Sequence, residues 1–109
     1  MKRGTIVVVA ARGAYTGKPR PALVVQSDLF NPTHSSVTLC PITSDCVDAA
    51  LFRLTLPPGP RTGLREVSQV MIDKIVSVPR VSIGEEIGEC SAGELEAVDN
   101  GLRRWLQLD

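Results

Sequence analysis

Short apolar runs, separated by proline- and glycine-rich turns, make up the chain as far as Cys90. Runs of this length are typical of buried strands, and residues 51–56 alternate apolar and polar positions like a half-buried strand. The predicted strands cover residues 5–11, 22–26, 36–41, 51–56, 64–68 and 70–78. Residues 84–90 are predicted to be a connector with room for one short strand.

The segment from Ser91 onward has a different, helical spacing. Its apolar residues are Leu95, Val98, Leu102, Trp105 and Leu106. Ser91 and Glu94 have the spacing of a capping box, in which each side chain bonds the other residue's backbone amide. The pattern therefore predicts a mainly β protein with a C-terminal helix, folded as a small twisted barrel or sheet with the helix packed on it.

Composition narrows the class of protein. The 109 residues fit one domain over 1–109, and 43 % hydrophobic residues suffice for a core. Aromatic residues are only 4 %, so the core must be mostly Val, Ile and Leu. No apolar run approaches the roughly 18 residues of a membrane span, and the N-terminus lacks a clear signal peptide. We expect a cytoplasmic protein.

The cysteines do not suggest a disulfide framework, because Cys40, Cys46 and Cys90 are odd in number and scattered. Their spacing with His34, the only histidine, matches no zinc pattern. We expect reduced thiols, no metal and no cofactor.

Charge is unevenly distributed although the formal net charge is zero. Residues 1–27 carry basic side chains and no acidic ones, whereas residues 81–102 carry acidic side chains and no basic ones. The basic segment is suited to attract nucleic acid. Alternatively, the two segments neutralise each other in the fold, and charge alone does not decide between these interpretations.

The most informative stretch, residues 17–28, reads Gly-Lys-Pro-Arg-Pro-Ala-Leu-Val-Val-Gln-Ser-Asp. Pro19 and Pro21 fix their own φ angles and hold the residues before them away from helical backbone. Arg20 therefore lies in stiff, extended backbone at the start of an apolar strand. A guanidinium held in this way is pre-oriented to bind a phosphate or carboxylate. The alternative is a stiff loop with a solvated charge.

Residues 18–28 resemble the Arg-Pro-Ala-Leu-Val segment of the MazF/PemK/Kid toxins. Three further segments resemble the same family in the same order, so that the match covers nearly the whole chain. They are Leu39–Ser44, Ser68–Gln69 with the strand that follows, and the C-terminal helix from Ser91. The resemblance implies an SH3-like barrel with a C-terminal helix, assembled as a homodimer.

The resemblance also implies a function. Toxins of this family are metal-independent endonucleases for single-stranded RNA, or mRNA interferases, of type II toxin–antitoxin systems. Attack by a 2′-hydroxyl would leave a 2′,3′-cyclic phosphate and a 5′-hydroxyl. The partner would be an antitoxin whose acidic, disordered tail folds onto the basic groove.

Arg20 and Thr43 match residues that act at the scissile phosphate in the family. Arg20 would stabilise the charge that develops at phosphorus and is a candidate for protonating the leaving oxygen, while Thr43 would orient a phosphate oxygen. Lys18, Ser44 and Gln69 would help to bind RNA. On the residues alone, Thr43 and Ser44 are equally well explained as turn residues that bond their own backbone.

The general base is not identified by the resemblance. Kid-like members have an Arg-x-Asp pair before the conserved Gln, but Glu66 and Ser68 occupy those positions here and Arg65 is one residue displaced. Glu66 and His34 are the candidates for the base. An exposed carboxylate and an ordinary loop histidine are the alternative interpretations.

A second resemblance leads to a different class of toxin. Residues 76–88 resemble a segment of the CcdB toxins, which share the fold but poison DNA gyrase and cleave no RNA. Trp105 aligns with a Trp at the CcdB gyrase-contact site, although the ending Leu106–Asp109 does not match. Core packing at helical spacing is the alternative for Trp105. A third class, an inactive regulatory barrel that binds an antitoxin, also stays open.

Overall fold

The computed structural model describes residues 1–10 and 18–108. Over these ranges the chain forms antiparallel strands and a C-terminal helix. The elements are β1 (Thr5–Val9), β2 (Arg20–Val24), β3 (Ser36–Thr43), β4 (Arg53–Leu56), β5 (Ser68–Met71), β6 (Val76–Pro79), β7 (Ile83–Glu89) and α1 (Ala92–Leu106). The predicted continuation of the first strand to Ala11, and the loop after it up to residue 17, lie outside the described residues.

The sheet is organised around β3, the longest strand. Its order is β4-β5-β3-β2-β1-β7, and β6 pairs with the first half of β3 while β5 pairs with the second half. The pairing register shifts by three residues between β6 and β5, because the 3-10 turn Ile72–Lys74 is inserted between them. β3 thus joins the part of the sheet that contains β1, β2, β6 and β7 to the part that contains β4 and β5. Its last residues lie at one rim of the barrel.

Two predicted strands were wrong. Residues 70–78 are not one strand, because the turn at Ile72–Lys74 interrupts them and places the buried side chain of Ile72 against Gly101 of α1. Residues 64–67 form a loop whose backbone bonds back to Gly59 instead of to a neighbouring strand. The connector predicted over 84–90 is mostly the strand β7, which pairs with β1 despite its few apolar residues.

The loop after β4 closes the barrel against β7. The backbone amide of Glu89 donates to the carbonyl of Arg61 at 2.9 Å. Gly63 has a φ of +72°, and a Cβ there would lie 2.0 Å from the carbonyl oxygen of Ile87. Only glycine permits this conformation and this close approach. The mainly β, barrel-like fold with a C-terminal helix is therefore confirmed.

Buried aliphatic side chains fill the space between the barrel and α1. The main core comprises Ile6, Leu23, Val25, Cys40, Ile42, Leu56, Leu64, Val70, Ile72, Val98 and Leu102. A smaller cluster of Val7, Val24 and Val37 lies on the other face of the sheet. Burial raises the pKa of the Cys40 thiol to about 12, so this free cysteine stays protonated at neutral pH.

The predicted capping box begins α1. The Ser91 hydroxyl accepts a hydrogen bond from the Glu94 amide at 3.1 Å, and the Glu94 carboxylate accepts one from the Ser91 amide at 2.8 Å. Arg61 adds an ion pair to Glu94 at 2.7 Å. Among the described residues, no helix is both long enough and apolar enough to cross a membrane.

Candidate functional site

Arg20 is the first residue of β2 and pairs with Val9 of β1. Its side chain is exposed, and within the described ranges it makes no ion pair or hydrogen bond. The prolines on both sides hold its backbone extended, as the sequence predicts. Among the described residues, Arg20 therefore presents an unpaired guanidinium at the end of the interior strand β2.

A cleft of about 480 Å³ opens beside Arg20. Apolar side chains that are buried or half-buried line its interior: Val8, Ile42, Leu64 and Ile87. Exposed polar and charged side chains surround them: Arg20, Ser44, Arg65, Glu66 and Glu85. With the buried Ser68, which also lines it, the cleft thus combines two guanidinium groups, two hydroxyls and two carboxylates, which together can bind a phosphate and accept or release protons.

Thr43 and Ser44 lie where β3 ends. Ser44 lines the cleft with Arg20, and Thr43 is its half-buried neighbour. The Thr43 hydroxyl oxygen accepts a hydrogen bond from the Asp45 amide at 3.0 Å, the local turn contact that the sequence offered as an alternative. Because a hydroxyl that accepts one hydrogen bond still has a proton to donate, this contact is compatible with orienting a phosphate oxygen.

Gln69 is 7 % exposed, and its amide is used within the chain. The side-chain oxygen accepts a hydrogen bond from the Val47 amide at 3.0 Å, and the side-chain nitrogen donates to the Val47 carbonyl at 2.8 Å. These contacts tie down the loop that follows Ser44. Lys18 is exposed two residues before Arg20 and is not one of the residues that line the cleft.

The two candidates for a general base lie in different places. Glu66 lines the cleft with Arg20. His34 lies beyond the opposite end of β3, where its Nδ1 is 3.2 Å from the Ser36 amide nitrogen. An eight-residue strand is roughly 24 Å long, so His34 is remote from Thr43.

Trp105 lies near the end of α1 and is 48 % exposed. It is therefore not the buried core residue that the packing interpretation of its helical spacing predicts. Its ring packs on Phe52, with ring centroids 5.7 Å apart. The apolar face of α1 is buried at Val98 and Leu102 but about half exposed at Leu106.

The two charged ends of the chain partly neutralise each other. Arg3 pairs with Asp99 at 2.6 Å, and the N-terminal amine lies 3.8 Å from Glu86. Lys18 and Arg20 take no part in these pairs. Within residues 1–10 and 18–108, no three His, Cys, Asp or Glu side chains cluster as a metal site would require.

Two cleft residues were missed by the sequence analysis. Arg65 was noted only as displaced from a family position, and Glu85 was not considered because its segment was taken for a connector. The signal that finds Glu85 is the pairing of its strand, β7, with β1, which no local pattern in the sequence shows.

A second, nearly apolar groove of about 210 Å³ adjoins Arg20 on the outer face of the sheet. Its apolar side chains come from four strands and include Val9, Ala22, Leu39, Val76 and Val78. Val76 is 45 % exposed there. Arg20 and Pro21 line both this groove and the cleft.

Comparison with known proteins places this chain in a family. The family described as PemK-like, MazF-like toxin of type II toxin-antitoxin system matches residues 2–106. The chain therefore belongs to this toxin family. A relative named probable endoribonuclease MazF, from Mycolicibacterium smegmatis, is 47 % identical over 108 residues, which are 99 % of this chain and 98 % of the relative.

Solved structures agree with the family match. A MazE–MazF crystal structure from Deinococcus radiodurans superposes with a TM-score of 0.84 and 26 % identity, covering 100 % of this chain and 97 % of that one. The Mycobacterium tuberculosis toxin MazF-mt6 shares the fold, with a TM-score of 0.82 and 24 % identity over 96 % of this chain and 98 % of that one. The gyrase-poison and regulatory-barrel alternatives receive no support from these comparisons.

Proposed function

We propose that this chain is a single toxin domain over residues 1–109 that acts in the cytoplasm as a metal-independent endoribonuclease on single-stranded RNA. The observation that carries the proposal is the free guanidinium of Arg20, held by two prolines at a cleft that also contains Ser44 and two carboxylates. The 47 % identity to a relative named probable endoribonuclease MazF supports the same activity.

Cleavage of RNA without a metal has three requirements. The 2′-hydroxyl must lose its proton, the charge that develops on the phosphoryl oxygens must be stabilised, and the leaving 5′-oxygen must gain a proton. Arg20 would meet the second requirement by donating to the phosphoryl oxygens, and its donation to the leaving oxygen would assist the third. Thr43 and Ser44 would orient the phosphate. The products would be a 2′,3′-cyclic phosphate and a 5′-hydroxyl.

Contacts outside the reacting phosphate would position the RNA. Arg65 in the cleft and Lys18 on the chain leading to Arg20 are suited to neighbouring phosphates. Gln69 would act indirectly, as a positioning residue, because its amide holds Val47 and with it the loop after Ser44. Within one chain His34 lies far from the cleft, so the carboxylates of the cleft are the better candidates for the base.

The partners would be a second copy of the chain and an antitoxin. The apolar outer groove supports the homodimer, because exposed apolar faces of this kind are usually covered by a partner. The antitoxin is supported by the likeness to a MazE–MazF complex. The cationic side chains of Arg20 and Arg65 suit an acidic antitoxin segment that blocks the cleft.

The test is cleavage of a long single-stranded RNA by purified toxin in the presence of EDTA. Wild type should cut the RNA, and Arg20→Ala should cut about 100- to 1,000-fold more slowly because the developing charge loses its donor. Arg103→Ala, on the exposed surface of α1, is the matched control and should cut normally. RNA left intact by wild type, or cut equally by Arg20→Ala, would contradict the proposal.

A further inference from the structure

The strand β7 has two irregularities where it pairs with β1. Its register shifts once between Ile6 and Val7 and again between Val7 and Val9. At the second shift, Gly84 and Glu85 stand opposite the single residue Val8, because Val7 pairs with Glu86 and Val9 pairs with Ile83. Such β-bulges redirect side chains and are frequent beside active sites.

The bulges change which face each β7 side chain occupies. Residues four apart in a regular strand share a face, yet Ile83 packs on the smaller cluster and Ile87 packs on the main core. Glu86 is directed to the face of Val7, and its carboxylate lies 3.8 Å from the N-terminal amine. Its neighbour Glu85 is directed into the cleft with Arg20.

From this arrangement we propose that Glu85 is the general base of the RNA cleavage reaction, an inference that rests on the proposed function. Arg20 on β2 and Glu85 on β7 lie on opposite sides of β1, so two strand spacings, about 10 Å, separate their backbones. This separation leaves room for a phosphate and its neighbouring ribose between the guanidinium and the carboxylate.

The other cleft carboxylate is less well placed. Glu66 belongs to the loop before β5, whereas Glu85 is part of a strand that is paired on both sides of the bulge. A catalytic group on a strand is held more precisely than one on a loop. In the described ranges the Glu85 carboxylate has no hydrogen-bond donor or ion-pair partner, so its lone pairs are available to take a proton.

The reaction step balances without a cofactor. The Glu85 carboxylate takes the proton of the 2′-hydroxyl while the 2′-oxygen forms its bond to phosphorus. The bond from phosphorus to the 5′-oxygen breaks, and that oxygen takes a proton from solvent water. Glu85 then returns its proton to the hydroxide so formed. Arg20 and Arg65 are the cationic groups that share the cleft with Glu85, and Glu66 is the other carboxylate there.

The experiment compares single-turnover cleavage of one RNA by wild type, Glu85→Gln, Glu66→Gln and Glu86→Gln, with EDTA present, over a range of acidic to neutral pH. The wild-type rate should fall on acidification, because a protonated carboxylate accepts no proton. Glu85→Gln should lose about 100- to 10,000-fold in rate together with this pH dependence. Glu86→Gln, the adjacent residue on the other face, is the matched control and should keep both.

Binding of a 2′-O-methylated RNA, which cannot be cleaved, separates catalysis from binding. Glu85→Gln should bind this RNA as tightly as wild type does. A normal cleavage rate in Glu85→Gln would overturn the inference, as would a loss of pH dependence in Glu66→Gln alone or a binding defect that accounts for the whole rate loss. RNA left intact by wild type would instead overturn the nuclease function itself.

Discussion

At the scale of single residues, the site depends on side chains whose partners are far away in the sequence. Gln69 was assigned to RNA binding because it matches the conserved Gln of the family, but in the structure both ends of its amide bond to Val47. Glu85 received no role from the sequence and yet lies in the cleft. Arg20, in contrast, was predicted correctly as an exposed group at a strand end, because the two prolines beside it act locally.

The Gln69 contacts lead to a prediction about loop order. Gln69→Leu removes both hydrogen bonds to Val47, and because Val47 is 48 % exposed, water can replace them. The free energy of unfolding should therefore fall by only about 1 kcal/mol. Amide exchange at Val47 should become faster and RNA cleavage slower, as measured by hydrogen-exchange mass spectrometry and a cleavage assay.

Thr55→Val is the control for this variant. Thr55 pairs with Gln69 across β4 and β5 and is exposed, so its replacement leaves the Val47 contacts in place. Its exchange and cleavage should match wild type. Unchanged exchange at Val47 in Gln69→Leu would show that the amide does not hold the loop.

At the scale of elements, the sequence predicted structures that are encoded within one segment, but not structures that depend on contacts with another element. The helix α1 was predicted with its capping box because Ser91, Glu94 and the apolar spacing are all within one segment. The strand β7 was predicted only as a connector with room for one short strand, because its sequence is mostly Gly and Glu and its conformation depends on β1. The break at Ile72–Lys74 was missed because it satisfies a core contact with Gly101, which lies in another element.

The helix cap should make stability depend on pH. Hydrogen bonds from Arg61, and then from the Ser91 amide, hold the pKa of Glu94 below its ordinary value. A carboxylate with a lowered folded-state pKa stabilises the fold above its unfolded pKa, and this contribution is lost as pH falls through the folded value. Urea unfolding between neutral and acidic pH should therefore show less acid destabilisation for Glu94→Gln than for wild type.

Glu96→Gln is the comparison for the helix cap, because Glu96 is exposed on the same helix. Its urea midpoints should follow the wild-type pH dependence. Parallel curves for Glu94→Gln and wild type would mean that the cap carries no proton linkage. Ser91→Ala, which removes the hydroxyl acceptor, should cost about 1 kcal/mol at neutral pH.

At the scale of the whole molecule, the resemblance to a family predicted more than the residues alone. Strand periodicity indicated a twisted barrel. The strand order is set by long-range pairing, and the closing contact between the loop after β4 and β7 depends on Gly63 and Gly88, which are distant in the sequence. The Arg3–Asp99 ion pair joins the basic N-terminal segment to the acidic C-terminal segment and partly neutralises the uneven charge along the chain. The cleft and the apolar groove meet at Arg20, so the proposed catalytic site and the proposed dimer face share one edge of the molecule.

This shared edge leads to a prediction about assembly. Val76→Lys places a charge in the outer apolar groove, so the dissociation constant of the homodimer should rise at least about tenfold, or ~1.4 kcal/mol. Light scattering after size exclusion measures this shift. Leu29→Lys, at an exposed turn residue outside the groove, is the control and should leave the dimer intact. A wild-type monomer would contradict the assignment of this face.

The distribution of the cleft over β1, β2, β3, the loop before β5 and β7 has a consequence for synthesis. A ribosome adds about 5–20 residues per second, so the wall that carries Glu85 and Ile87 is made seconds after Arg20. A nascent or truncated chain that ends before Ile83 contains Arg20 and Thr43 but no complete cleft. Because the proposed site needs both walls of the cleft, a chain that ends before Ile83 should cleave no RNA, and activity should appear only after the last strand and helix have been made.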